Sequence, residues 1–129
     1  TSLFISGFGA SFGGFLIMSL RKSYTAIVER NTQWVGEFAT EPYETAWANE
    51  AIFFIRALDK PTVSTTQARV QLSPDGMHWV DEGTFITLPT NQDEVSFCKI
   101  DHFGGWLRLY GELPEGETIT VIVYLVLKE

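Results

Sequence analysis

One cysteine, two histidines and nine basic residues are all that this 129-residue chain carries of several chemistries. A lone Cys98 closes no internal disulfide, and it offers neither a Cys-x-x-Cys pair nor a Cys/His spacing for structural zinc. A disulfide scaffold is excluded, and cysteine usage leaves the compartment open. Nine Lys and Arg against sixteen Asp and Glu give a net charge of −7, whose field repels phosphate backbones and anionic lipid. Nucleic acid is therefore not an expected partner. The chain also shows no internal repeat, no low-complexity segment and no convincing amphipathic-helix pattern. What it has in quantity is apolar material, 45% of residues with 14% aromatic. That suits a single well-packed domain burying on the order of 70% of its unfolded surface.

Charge is missing altogether from the opening "TSLFISGFGASFGGFLIMSL", twenty residues with four glycines and four phenylalanines. A secretory signal has basic residues before its apolar run, whereas Arg21 and Lys22 follow this one. A membrane-spanning helix needs about twenty predominantly apolar residues, and glycines leave only Phe15 to Met18 continuous. No membrane span is expected. Two readings of the segment fit. It is a strand pair of its own sheet, or it is an arm lying in the groove of a neighbouring copy, completing an open sheet edge with main-chain bonds. In the second reading Leu3, Ile5, Phe8, Phe12, Phe15 and Ile17 are the inserted anchors. Glycines between them permit close approach.

The rest of the chain reads as strands. In "QARVQL", residues 67–72, Ala68, Val70 and Leu72 alternate with polar neighbours at the two-residue period of a half-buried strand. Ser73-Pro74-Asp75-Gly76 supplies turn chemistry. Further strands are expected over Gly83 to Leu88, Glu94 to Ile100 and Gly105 to Leu113, each bounded by turn residues. Ser23 to Arg30 and Ala51 to Leu58 also read as strands, while Trp34 to Asn49 leaves one strand and a long connection unresolved. "TITVIVYLVL", residues 118–127, is dense in β-branched residues. Its second face, including Ile122, Tyr124 and Val126, is apolar where a solvated strand would be polar, so another subunit is expected to cover it. About eight short strands with turns between them predict an all-β, antiparallel sandwich or jelly roll over residues 23–129, preceded by an apolar arm over residues 1–22.

The stretch "ARVQLSPDGMHWVDEG", with "FGGWLRLYGEL" and the closing "VIVYLVL", resembles discoidin-like (galactose-binding-like) jelly rolls. Ser73, Asp75, Gly76 and Trp79 match that family's turn, and Trp106, Leu107, Arg108 and Leu109 match its aromatic-rich strand. The resemblance covers Ala68 to Leu127 and extends to β-sandwich modules of virions and extracellular filaments. It implies a fold more directly than a function. The paired cysteines that often join the termini in that family are absent, and the apolar arm is additional.

Catalytic chemistry is thinly represented. Ser73, one of the two histidines His78 and His102, and a neighbouring Asp75, Asp81 or Asp101 could be drawn as a triad, but no strained nucleophile turn presents the serine. His78, Cys98 and His102 could converge on a metal. Asp81 with Glu82, or Asp93 with Glu94, could offer loop oxygens to calcium, although neither run resembles an EF-hand. No cofactor is expected. Trp34, Tyr43, Trp47 and Tyr110 are the candidate rings for stacking on a glycan, while Trp79 and Trp106 sit where the fold would use them. The expectation is thus a non-enzymatic structural subunit that polymerises with copies of itself by N-terminal strand addition. It would form an extracellular filament, a surface layer or a virion component. The alternative is a carbohydrate-binding module.

Overall fold

A computed structural model describes residues 23–129, folded as nine strands in two antiparallel sheets. The strands are β1 (Ser23–Val35), β2 (Glu37–Ala39), β3 (Tyr43–Glu44), β4 (Glu50–Ala57), β5 (Gln67–Ser73), β6 (Val80–Thr87), β7 (Val95–Asp101), β8 (Trp106–Glu112) and β9 (Thr118–Lys128). Sheet A has the order β1-β9-β4-β7. Sheet B has the order β2-β8-β5-β6, with the short β3 also paired to β8. The expected all-β sandwich is the observed architecture. Pairing is nested: β1 with β9, β2 and β3 with β8, β4 with β7, and β5 with β6. The chain is thus wound as one long folded-over ribbon whose successive pairs alternate between the sheets.

Alternation builds the core. On β9 the odd-numbered residues Ile119, Val121, Val123, Leu125 and Leu127 are at most 1% exposed, and their even-numbered neighbours are half-buried. Phe53 and Ile55 of β4 join them from sheet A. Val70, Ile86, Leu107 and Leu109 come from sheet B, and the two inner faces close as one cluster. Among the described residues the four buried polar side chains, Thr40, Thr45, Gln71 and Ser73, are all hydrogen-bonded, while the half-buried Arg69 keeps a buried Nε without a hydrogen bond. Thr40 Oγ1 accepts from Leu109 N at 2.9 Å, Thr45 Oγ1 donates to Gly105 O at 3.0 Å, and Gln71 and Ser73 bond to side chains or backbone nearby. A buried polar atom left unpaired would weaken the domain, so these bonds fix how β3 and the following loop lie on β8.

Three readings of the sequence need correction. β6 starts at Val80, ahead of the expected Gly83, and accommodates Glu82, Gly83 and Thr84 opposite Val70 alone. Beside that irregularity Leu72, expected on the inner face, is only half-buried, and Ser73 is fully buried instead. β1 does not stop at Arg30. It runs to Val35 through two register shifts, with Asn31 at a left-handed φ of 54°. Glycine is required at Gly105, whose φ is +71° and where an added Cβ would sit 2.3 Å from Ser73 O. Gly111 serves another purpose, because a Cβ there would meet the Phe38 ring at 2.6 Å.

Candidate functional site

Each sheet turns one face outward, and the two faces differ in chemistry. On sheet A, register aligns Ile27 with Tyr124, Tyr124 with Phe54, and Phe54 with Phe97. These four side chains form one apolar row across all four strands. Adjoining rows add Val126 and Ile52 on one side, ending at Lys99, and Ile122 and Val95 on the other, with Arg56 between them. Ile27, Val95 and Phe97 are 40%, 52% and 58% exposed. The Phe54 and Phe97 rings lie 6.1 Å apart in a tilted pair. Ile122, Tyr124 and Val126 are half-buried by these neighbours alone, and among the described residues nothing covers the face. At its margin β7 pairs only with β4, so the other edge of Val95–Asp101 has unpaired backbone groups among the described residues. The anchors expected on the arm, Leu3, Ile5, Phe8, Phe12, Phe15 and Ile17, lie outside the described residues.

Sheet B shows instead a ladder of guanidinium groups and rings. One row reads Arg108, Gln71, Asp81, and the next reads Tyr110, Arg69, Phe85. Arg108 Nε donates to Gln71 Oε1 at 2.8 Å, and Gln71 Nε2 donates to Asp81 Oδ1 at 2.9 Å. The Arg108 guanidinium lies 4.3 Å from the Trp79 ring centre and 5.6 Å from that of Tyr110. Arg69 lies 5.0 Å from the same Tyr110 ring and 3.3 Å from Asp81 Oδ1. The Tyr110 hydroxyl donates to Glu37 Oε2, and this bond to a carboxylate is the main reason its pKa is raised. Partial burial lowers the Arg108 pKa. Phe85, at the margin of this face, is 55% exposed.

The residues matching the discoidin-like turn are occupied in holding that turn. Ser73 Oγ accepts from the backbone N–H groups of Asp75 and Gly76 at 3.2 and 2.8 Å, and donates to Asp75 Oδ1 at 2.9 Å. Asp75 Oδ1 also accepts from Met77 N and His78 N at 2.8 and 2.9 Å. Those backbone donors and His78 hold the carboxyl far below the usual carboxylate range. Gly76, at φ +80°, brings its backbone against the Trp106 ring. A triad would need the histidine between serine and aspartate. Here Asp75 lies between Ser73 and His78, whose Nδ1 is 2.7 Å from Asp75 Oδ2, so the trio is a turn and not an activated nucleophile.

The other sequence candidates separate. No group of three or more His, Cys, Asp and Glu side chains gathers among the described residues. Cys98 is buried on the inner side of β7, and burial pushes its thiol up to about 11. Asp93 pairs with Arg56 at 3.3 Å, and Glu94 accepts from Thr90 N and Asn91 N at 2.8 and 3.1 Å. Of the four rings expected to stack on a glycan, Trp34 is 3% exposed and lies 4.1 Å from Phe38 in a stacked pair. It belongs to the core and is withdrawn from that set. Tyr43 and Trp47 line a cleft of about 570 Å³ with Ser23, Tyr24 and Glu129, where burial is the main cause of a raised Tyr43 pKa. Tyr110 stands apart from them on sheet B. Arg69, Trp79, Phe85 and Arg108 were missed as its companions. The signal was the outward phase of "ARVQ" and "WLRLY", read together across the sheet.

No family model matches this chain, and no curated protein matches it. Among solved structures, a crystal structure described as the SPBc2 prophage-derived protein YomS has a TM-score of 0.60 to it, covering 88% of this chain and 99% of that one. The two are 9% identical, so what this chain shares with that phage-derived protein is the all-β fold.

Proposed function

We propose that this chain is a non-enzymatic structural subunit, a jelly roll by its nested strand order, which assembles with copies of itself through the outer face of sheet A. The observation that carries this reading is the in-register row Ile27, Tyr124, Phe54, Phe97 beside the edge of β7 that is unpaired among the described residues. An apolar surface spread over all four strands of a sheet marks an interaction site more often than a free surface. The occupant is the N-terminal segment, residues 1–22, of a neighbouring subunit. That segment bears no charge before Arg21, so it can lie on apolar side chains without burying an unpaired ion. Extended at about 3.3 Å per residue it reaches roughly 70 Å, well beyond its own sheet. Arg21 and Lys22 would meet acidic residues at the rim of β7, where Asp93, Glu94 and Asp101 are exposed. Strand addition of this head-to-tail kind produces rings or open filaments. The prophage origin of the fold neighbour favours a virion component over a filament or cell-surface layer.

Light scattering with negative-stain microscopy tests the reading on the full chain, on a chain starting at Ser23, and on the full-length Phe97→Glu variant. The full chain is expected to form ordered polymers, while both variants sediment as folded single subunits. A full chain that stays at its 14.5 kDa subunit mass would overturn the proposal and return residues 1–22 to their own domain.

A further inference from the structure

The outer face of sheet B poses a different question, because it leaves the buried Arg69 Nε without a hydrogen bond and keeps the Phe85 ring 55% exposed. We propose that this face, centred on Tyr110, Arg69 and Phe85, is a binding site for an uncharged saccharide. The site is independent of the assembly surface.

Four observations converge on that ligand class. First, Phe85 has no part in the core. It is 55% exposed and stands in register beside Arg69, which in turn stands beside Tyr110. A ring presented in this way offers an apolar plane at little conformational cost, and a pyranose has a matching face of C–H groups. Second, the plane borders a cleft of about 180 Å³ lined by Gln67, Arg69, Phe85, Tyr110, Gly111 and Glu112. Guanidinium and amide donors and carboxylate acceptors lie side by side there, as vicinal hydroxyls require, since each hydroxyl both donates and accepts.

Third, the face carries no net positive charge. Arg69 is paired with Asp81, the Tyr110 hydroxyl is bonded to Glu37, and Glu112 lies opposite Glu37 in the register. An anionic ligand would meet three carboxylates for two guanidinium groups in a chain of net charge −7. A neutral one meets no such repulsion. Fourth, the site is built before any ligand arrives. Arg108 is held against Trp79 by its bond to Gln71, and Tyr110 is fixed by Glu37 and flanked by both arginines. The extra residues of β6 around Gly83, at φ +110°, form the kind of strand irregularity that re-aims side chains near binding sites. Rigid, interleaved side chains of this kind lose little freedom on binding.

The full chain is titrated with maltohexaose, cellohexaose, laminarihexaose and chitohexaose, with hexagalacturonate as the charged comparator. Calorimetry and tryptophan fluorescence read binding, Trp79 being an indole reporter stacked with Arg108 on the same face. Saturable binding of at least one neutral oligosaccharide is expected. Tyr110→Ala and Phe85→Ala should each weaken it roughly tenfold, about 1.4 kcal/mol. Phe85→Trp should retain it, and Trp47→Ala, in the separate cleft with Tyr24 and Tyr43, should leave it unchanged. Unaltered circular dichroism in each variant separates lost binding from lost fold. The proposal is overturned if none of the neutral oligosaccharides binds, if hexagalacturonate alone binds, or if binding survives both alanine substitutions. Because the readout is ligand binding by whatever oligomer the chain forms, its failure leaves the assembly proposal standing, and the reverse also holds.

Discussion

The two outer faces of the sandwich arise from the same period of two and end in opposite chemistry. On sheet A the side chains between core positions include the row Ile27, Tyr124, Phe54 and Phe97, flanked mainly by the apolar Ile52, Val126, Ile122 and Val95. On sheet B the equivalent positions are Arg108, Gln71, Asp81, Tyr110 and Arg69, which hydrogen-bond, pair or stack in place. A polar face whose groups are largely paired with one another is stable in water without cover. An apolar row gains by being covered, at about 25 cal/mol for each Å² removed from water. Exposure alone does not separate the faces, since Phe97 and Phe85 are 58% and 55% exposed. The difference lies in the neighbours, which are Phe54 and Val95 with the single cation Lys99 around Phe97, and a guanidinium, a phenol and a carboxylate around Phe85.

The comparison breaks most visibly at two consecutive residues of β4. Phe53 faces inward at 1% exposure and Phe54 faces outward. Phe53→Ala empties a core site and should cost about 3–5 kcal/mol in urea unfolding. Phe54→Ala should cost under about 1 kcal/mol in the isolated subunit while abolishing polymers in light scattering. Gly105→Ala acts on sheet B only. With φ at +71° and Ser73 O at 2.3 Å from the new Cβ, it should cost about 3 kcal/mol. If the faces are independent, whatever folded protein remains should still polymerise.

Much of this contrast was legible in the alternation of single strands. "TITVIVYLVL" announced both an inner face and an apolar outer one, and "QARVQL" placed Arg69 and Gln71 outward. What a strand cannot state by itself is its register. The row Ile27, Tyr124, Phe54, Phe97 draws on residues almost a hundred positions apart, and no local pattern aligns them. β2 and β3 stayed hidden because strands of three and two residues are too short to show a period. Trp34 was read as a surface ring although it keeps the even-numbered phase of the buried Ala26 and Val28. The polar, irregular segment around Asn31 concealed that continuity. The turn residues Ser73, Asp75 and Gly76 were found by resemblance, yet their bonds serve the fold.

Cys98 sharpens the comparison from the inside, as the inward neighbour of the exposed Phe97 on β7. Burial holds its thiol up at about 11 from an ordinary 9.0, so the native thiol should not react with maleimide at pH 8 in either subunit or polymer. A folded value above the unfolded one means that the native state holds the proton more tightly. This contribution is complete below about pH 8.5 and is lost as pH rises toward 11. The melting temperature should accordingly fall between pH 9 and 11, and fall less in Cys98→Ala.

The smallest expected effects separate the faces by the nature of their internal contacts. Arg69 and Asp81 are 43% and 53% exposed at 3.3 Å, and a double-mutant cycle to alanine should give a coupling of about 0.2–1 kcal/mol. The Phe54 and Phe97 rings, 6.1 Å apart, should couple by about 0.5–1 kcal/mol. At low salt the two values overlap and teach nothing. In 1 M NaCl the Debye length shrinks to about 3 Å, so the ionic coupling on sheet B should fall toward zero while the aromatic coupling on sheet A persists. Measured on subunits starting at Ser23, the cycle reports each face without assembly. Equal loss of both couplings in salt would show that the two faces are held by the same forces, and the division of roles between them would fail.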